Sequence, residues 1–181
     1  MNAFLKQGGG YRKLKVFALT EIVCDMSMYF SRNFIDRSSR TRDQMEQAAR
    51  SGKQNIAEGS EASTTSRETE IKLTNVARAS LIELQLDYED YLRQHNIPVW
   101  GKDNPRTSRL REYLKSDRFM TEYQQLMTRL PAEEFCNMAI TLINQCTYML
   151  RRLIEAQQRQ FLQYGGIREQ MSKARRNIFE K

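Results

Sequence analysis

The chain has 181 residues, 40% hydrophobic and 28% charged, with only 8 Gly and 3 Pro, which suits one globular domain and excludes collagen-like, disordered and low-complexity chains. Lys plus Arg outnumber Asp plus Glu by 29 to 22, a net charge of +7 that allows an anionic partner but is also an ordinary solubility device. The apolar runs are a few residues long, far short of the roughly 18 to 20 that cross a bilayer, and the opening MNAFLKQGGGYRKLKVF has no apolar stretch with a cleavage site. A cytoplasmic protein without a membrane partner is expected.

Residues 1–10, ending in Gly8-Gly9-Gly10, read as a flexible leader. Val16, Leu19, Val23, Met26 and Phe30 then recur at steps of three and four, which predicts a helix over 11–35. The connector 36–40 offers serine hydroxyls as caps. A second helix is expected over 41–58, its apolar side made of Met45, Ala48, Ala49, Gly52 and Ile56, small enough for a neighbouring backbone to approach closely. Gly59 stands where such a helix would stop, and Thr65 with Glu68 has capping-box spacing for a third helix running to about residue 94. Pro98 and Gly101 break the pattern. Asn104-Pro105 starts a short helix to residue 115, and a second short piece covers 119–128. From Pro131 the stripe of Phe135, Met138, Leu142, Cys146, Met149 and Leu153 marks the last core helix, ended by Gly165-Gly166. The tail 165–181 is basic and amphipathic, with Ile167, Met171, Ala174 and Ile178 on one side, suited to docking or to fraying.

No segment alternates like a strand, so the expected fold is all-α: an antiparallel up-down four-helix bundle over 11–164, with a helical insertion at 95–130 before the last core helix and a short helical suffix at 165–181. Cys24, Cys136 and Cys146 are odd in number and lie in apolar periodic segments, as buried free thiols do. His95 is the one histidine, beside a helix end where it can bond free carbonyls. Walker, dinucleotide and zinc-protease motifs are absent, so no catalytic residue, metal site, cofactor or small-molecule substrate is expected.

The segment 43–59, DQMEQAARSGKQNIAEG, ends in Asn55-Ile56-Ala57-Glu58-Gly59. It resembles the signature of the four-helix-bundle family of proteins encoded in intervening sequences of bacterial 23S ribosomal RNA genes, which includes the accessory variability determinants of diversity-generating retroelements. Residues 76–91, with Ala79-Ser80-Leu81-Ile82-Glu83-Leu84, and residues 11–17 are similar to its third and first helices. The insertion and the Gly165-Gly166-Ile167-Arg168-Glu169 tail resemble a subgroup with a four-helix-bundle suffix domain. This resemblance implies a non-enzymatic bundle, often a homopentamer, with basic surfaces for nucleic acid and, in the retroelement branch, a reverse transcriptase as partner. Asn55, Glu58 and Gly59 are then its structural motif. A carboxylate at Glu58 opposes the helix dipole, so an arginine partner from this chain or an adjacent subunit is expected.

Basic side chains carry the functional reading. Arg42, Arg50 and Lys53 fall within about 80° of one another on a helix. Arg37 and Arg40 extend them through the loop, and Arg12, Lys13 and Lys15 cluster at the first helix. Such groups contact successive phosphates of RNA or DNA with little sequence preference. Trp100, Arg106, Arg109, Arg111 and Tyr113 in the insertion could add stacking, although Trp100 could equally pin the insertion to the bundle, and Arg175 and Arg176 add charge in the tail. The alternative is a protein adaptor that grips its partner through the insertion and tail, with incidental charge.

Overall fold

A computed structural model describes the backbone of residues 10–179 and the side chains of residues 10–176; the expected leader, apart from Gly10, and the side chain of Ile178 lie outside the described residues. A 3-10 turn, Gly10–Lys13, precedes α1 (Lys15–Phe34), α2 (Arg40–Ala62), α3 (Arg67–Gln94), α4 (Pro105–Tyr113), α5 (Asp117–Met127), α6 (Ala132–Tyr164) and α7 (Ile167–Phe179). Every regular element among the described residues is helical.

Local chemistry sets the helix starts. The side chains of Ser39, Ser66, Asn104 and Ser116 accept from the backbone N–H groups of Thr41, Thr69, Arg106 and Phe119, donors that a helix start leaves unpaired. Several boundaries differ from the sequence reading; the first helix begins at Lys15, after the 3-10 turn, and not at residue 11. The third helix is capped by Ser66 rather than Thr65, whose hydroxyl instead donates back to Ala62 O at 3.2 Å, while Ser66 also donates to Glu68 at 3.1 Å. Gly59 does not end the second helix. It is buried inside α2, where a Cβ would sit 3.3 Å from both Glu70 O and Leu73 Cβ, so its role is close packing against α3. The glycine that does stop a helix is Gly165, at φ 73, donating to Phe161 O at 2.8 Å.

The long helices pack in the pairs α1 with α2, α2 with α3, α3 with α6 and α6 with α1. Met45, Ala48, Ala49, Gly52 and Ile56 are buried as expected. At Gly52 the approach is closest, a Cβ there meeting Leu81 Cδ2 at 2.7 Å. An aromatic layer fills one end of the core: the Phe30 ring lies 4.9 Å from Phe34, 5.0 Å from Tyr88, 4.9 Å from Tyr91 and 5.4 Å from Phe135. Buried Tyr88 shares a 3.0 Å hydrogen bond with Ser27. Toward the other end, Gln157 donates to Glu70 and Thr74, tying the C-terminal part of α6 to the start of α3.

The insertion is fastened by Trp100. Its backbone N–H donates to Asn137 Oδ1 at 2.7 Å, its indole N–H to Glu133 at 2.8 Å, and Asn137 Nδ2 returns a bond to Pro98 O at 3.1 Å. Tyr123 on α5 donates to Asp25 on α1 at 2.8 Å. Cys136 and Cys146 are buried and Cys24 is half-buried, all three as free thiols. His95 lies 2.8 Å from Tyr91 O through Nδ1 and stacks on the Tyr91 ring at 4.0 Å. No helix among the described residues is long and apolar enough to cross a membrane.

Candidate nucleic-acid interface

The core claims most of α1 and leaves out the strip Glu21, Asp25, Met28 and Arg32, spaced four, three and four residues apart. Two open grooves meet at Met28. One, of about 510 Å³, runs between α1 and α2 and is lined by Cys24, Met28, Asp43, Glu46, Gln47, Arg50, Lys53 and Gln54. The other, of about 480 Å³, leads toward α5 past Asp25, Tyr29, Arg32, Asn33, Gln124 and Met127.

Two of the acids here, Glu46 and Asp25, are already engaged, while Glu21 is exposed with no ion pair among the described residues. Glu46 lies 3.7 Å from the Arg42 guanidinium and also accepts from the Ser31 hydroxyl. Asp25 accepts from Tyr123. Asp43 stands at the exposed start of α2, where a carboxylate opposes the positive end of the helix dipole. The cations are in the opposite state. Arg32 and Arg50 are exposed, Lys53 is half-buried, and none of the three forms an ion pair among the described residues. Cys24 sits in their field: burial pushes its thiol up, while Lys53 and, more weakly, Arg50 pull it back.

The basic residues expected from sequence separate into groups. Arg42, Arg50 and Lys53 share the α1 side of α2, but Arg42 is occupied by Glu46. Arg37 and Arg40 are exposed at the α1–α2 corner; Arg40 turns toward α3, into a third groove where Asp43 and Glu83 outnumber it, whereas in the first groove Arg50 and Lys53 balance Asp43 and Glu46. Arg12, Lys13 and Lys15 are exposed at the far end of α1, Arg12 lying 5.4 Å over the Tyr11 ring. These groups span α2, whose 23 residues extend about 35 Å at about 1.5 Å per residue, close to one duplex turn.

The insertion offers less. The Arg106 guanidinium lies 5.3 Å over Trp100 and 3.8 and 3.9 Å from Glu133 and Glu134, so this aromatic–arginine pair is directed to α6, and Trp100 is the pin of the two roles considered for it. Tyr113 is half-buried, packed 5.6 Å from Phe119. Arg109, Arg111, Arg175 and Arg176 remain exposed. In the signature segment, Asn55 donates to Ser51 O at 2.9 Å and Ser51 Oγ at 3.0 Å, and Ser51 bonds Ser80 across to α3 at 2.9 Å. Glu58 is exposed and has no ion pair among the described residues, so the arginine expected from this chain is not there. Of the motif, Gly59 packs against α3 directly, and Asn55 holds the Ser51 that bonds across to Ser80.

Arg32 and the Tyr123–Asp25 link were missed in the sequence. The signal for Arg32 was available, since it falls with Glu21 and Asp25 on the charged strip of α1. The link joins residues 98 positions apart and has no local signal. Comparison with family models, with curated proteins and with solved structures found no match.

Proposed function

We propose that the chain is a non-enzymatic, cytoplasmic, antiparallel up-down four-helix bundle of α1, α2, α3 and α6 that self-assembles and binds RNA or DNA along the outer face of α1. The up-down order is supported by the contacts Ser31 to Glu46, Gly52 to Leu81 and Thr74 to Gln157, whose partners run in opposite senses along successive helices. The observation that carries the function is the pairing in the grooves: among the described residues Arg32, Arg50 and Lys53 have no carboxylate partner, while Glu46 and Asp25 beside them are engaged. Phosphate oxygens fit such cations, and the amides of Asn33, Gln47, Gln54 and Gln124 supply neutral hydrogen bonds around them. Binding of this kind releases counterions and reads little sequence. The resemblance to the ribosomal intervening-sequence family fits both the bundle and a ribonucleoprotein or retroelement setting, and implies five copies.

A second reading rests on α7. Among the described residues this helix packs broadly against no other, and Met171 on its apolar side is 48% exposed. An adaptor would use it to grip a protein such as a reverse transcriptase.

The test is an anisotropy titration with short single-stranded RNA and duplex DNA over a salt series, using protein purified in high salt with nuclease. Binding that weakens steeply with salt and survives deletion of residues 165–181 is the expected result. Absence of binding at low salt overturns the nucleic-acid reading and leaves the adaptor.

A further inference from the structure

The two grooves that meet at Met28 differ in chemistry. The one between α1 and α2 offers two cations without ion pairs among the described residues, Arg50 and Lys53, which suit phosphate. The one toward α5 has a single cation, Arg32, and its acid, Asp25, is taken by the Tyr123 hydroxyl at 2.8 Å. The rest of its wall is neutral: half-buried Met28, Tyr29 and Met127 beside exposed Asn33 and Gln124. Its volume of about 480 Å³ lies within the range of about 300–1,000 Å³ of sites that take small organic groups.

The neutral polar groups of this second groove keep bonding capacity. Asn33 Nδ2 donates to Tyr29 O at 2.7 Å, and Gln124 Nε2 to the Tyr123 hydroxyl at 3.4 Å. The other end of each amide, and the Tyr29 hydroxyl, have no hydrogen-bond partner among the described residues. The Tyr29 ring is braced by the core, its centroid 5.9 Å from that of Phe135 with 18° between the planes. The two thioethers add polarizable surface that packs well on flat aromatic groups. Apolar side chains for the faces, and amides and a hydroxyl for the edges, match a planar heterocycle that carries both donors and acceptors. A bare phosphate would leave the thioethers and the ring unused.

We propose that the groove between α1 and α5 takes one unpaired nucleobase from a strand whose phosphates lie along Arg32, Arg50 and Lys53, so that the chain prefers single-stranded to duplex nucleic acid. This deepens the proposed function and rests on it. A base inside a duplex is stacked and paired, and reaches such a groove only after leaving the stack. The insertion thereby gains a role beyond packing. Gln124 and Met127 come from α5, three residues apart and so on one side of it, and the Tyr123 bond to Asp25 holds α5 beside α1.

The experiment is an anisotropy titration of the full-length protein, purified in high salt with nuclease, at several salt concentrations. The probes are single-stranded oligothymidine, an abasic deoxyribose strand of the same length, which keeps the phosphates and lacks the bases, and a blunt duplex. The variants are Met127→Ala and Asn33→Ala/Gln124→Ala. Met127 packs against the core, so the exposed pair is measured beside it and circular dichroism verifies both folds. Wild type should bind oligothymidine at least about tenfold tighter than either the abasic strand or the duplex. That ratio to the abasic strand should persist as salt rises, because base contacts release no counterions. A fall of the ratio by at least about threefold in either variant, with abasic binding unchanged, supports the groove as the base site. Equal binding of all three probes that weakens with salt overturns the base site and leaves the phosphate contacts standing. A preference that both variants keep at the wild-type level overturns its placement in this groove. No binding of any probe at low salt overturns both readings.

Discussion

Substituting Gly52 by Ala tests the close approach of α2 to α3. In an unconstrained helix this change stabilises by about 1 kcal/mol, because glycine loses more backbone freedom on folding. Here the added methyl would lie 2.7 Å from Leu81 Cδ2 and 2.9 Å from Leu81 Cγ, and Leu81 is fully buried, so it has little space into which to move. Overpacking of that kind costs about 1–3 kcal/mol, leaving a net loss of roughly 0–2 kcal/mol. Removing the obstacle reverses the sign. Leu81→Ala alone costs about 2–5 kcal/mol through the cavity it leaves. In that background, the next atom facing a Cβ at position 52 is Ala77 O at 3.7 Å, an ordinary contact. Gly52→Ala should then stabilise by about 1 kcal/mol. The four proteins of this cycle, unfolded in urea at one fixed concentration and followed by circular dichroism, should give a coupling of about 1–3 kcal/mol. If Gly52→Ala has the same effect within about 0.5 kcal/mol in both backgrounds, the close-approach argument is wrong.

Two further outcomes follow from buried polar groups. Asp87 has one buried carboxylate oxygen without a hydrogen-bond partner among the described residues, and burial, reinforced by Glu83 and Asp90, raises its pKa from 3.8 to about 6. Between those values the folded state holds a proton that the unfolded state releases, so the contribution of Asp87 is fully present below pH 4 and is lost as pH rises through 6. Asp87→Asn should therefore stabilise the fold at pH 7.5 by on the order of 1 kcal/mol after screening, seen as a raised thermal midpoint, and by progressively less toward pH 4; an equal effect at both ends contradicts the assignment. Asn137→Ala removes the acceptor of the Trp100 N–H and the donor to Pro98 O, which should destabilise by about 1–3 kcal/mol and speed amide exchange at residues 99–101. Unchanged exchange there would mean that Trp100 does not hold the insertion.

The all-helical composition was legible because every long segment carries period-3.6 apolar spacing, and α4 was legible from Asn104-Pro105. The small-residue stripe around Gly52 was likewise readable, since side-chain volume alone announces close packing. Gly59 misled because a glycine at the end of an amphipathic run resembles a helix stop; only contact with Glu70 and Leu73 reveals a packing role. Ser66 competed with Thr65 for the same cap, a choice decided by one residue of backbone geometry. In the candidate interface, the shared side of Arg42, Arg50 and Lys53 follows from helix geometry. That Arg42 is occupied while Arg50 is not depends on Glu46 and Ser31, and the pairing of Trp100 with Asn137 spans 37 residues. Long-range hydrogen bonds have no periodic trace in a sequence, and they decide which charges remain available.

The central claim is that Arg32, Arg50 and Lys53 contact phosphates. Its most direct test is the salt dependence of duplex binding by wild type and by the Arg32→Ala/Arg50→Ala/Lys53→Ala triple variant. Each phosphate contact contributes about 0.9 to the slope of log K against log salt on duplex DNA, so losing three should flatten it by about 2.7 while the fold and thermal midpoint are retained. A triple variant that binds with the wild-type slope would contradict the claim and move the search for phosphate contacts to Arg12, Lys13 and Lys15.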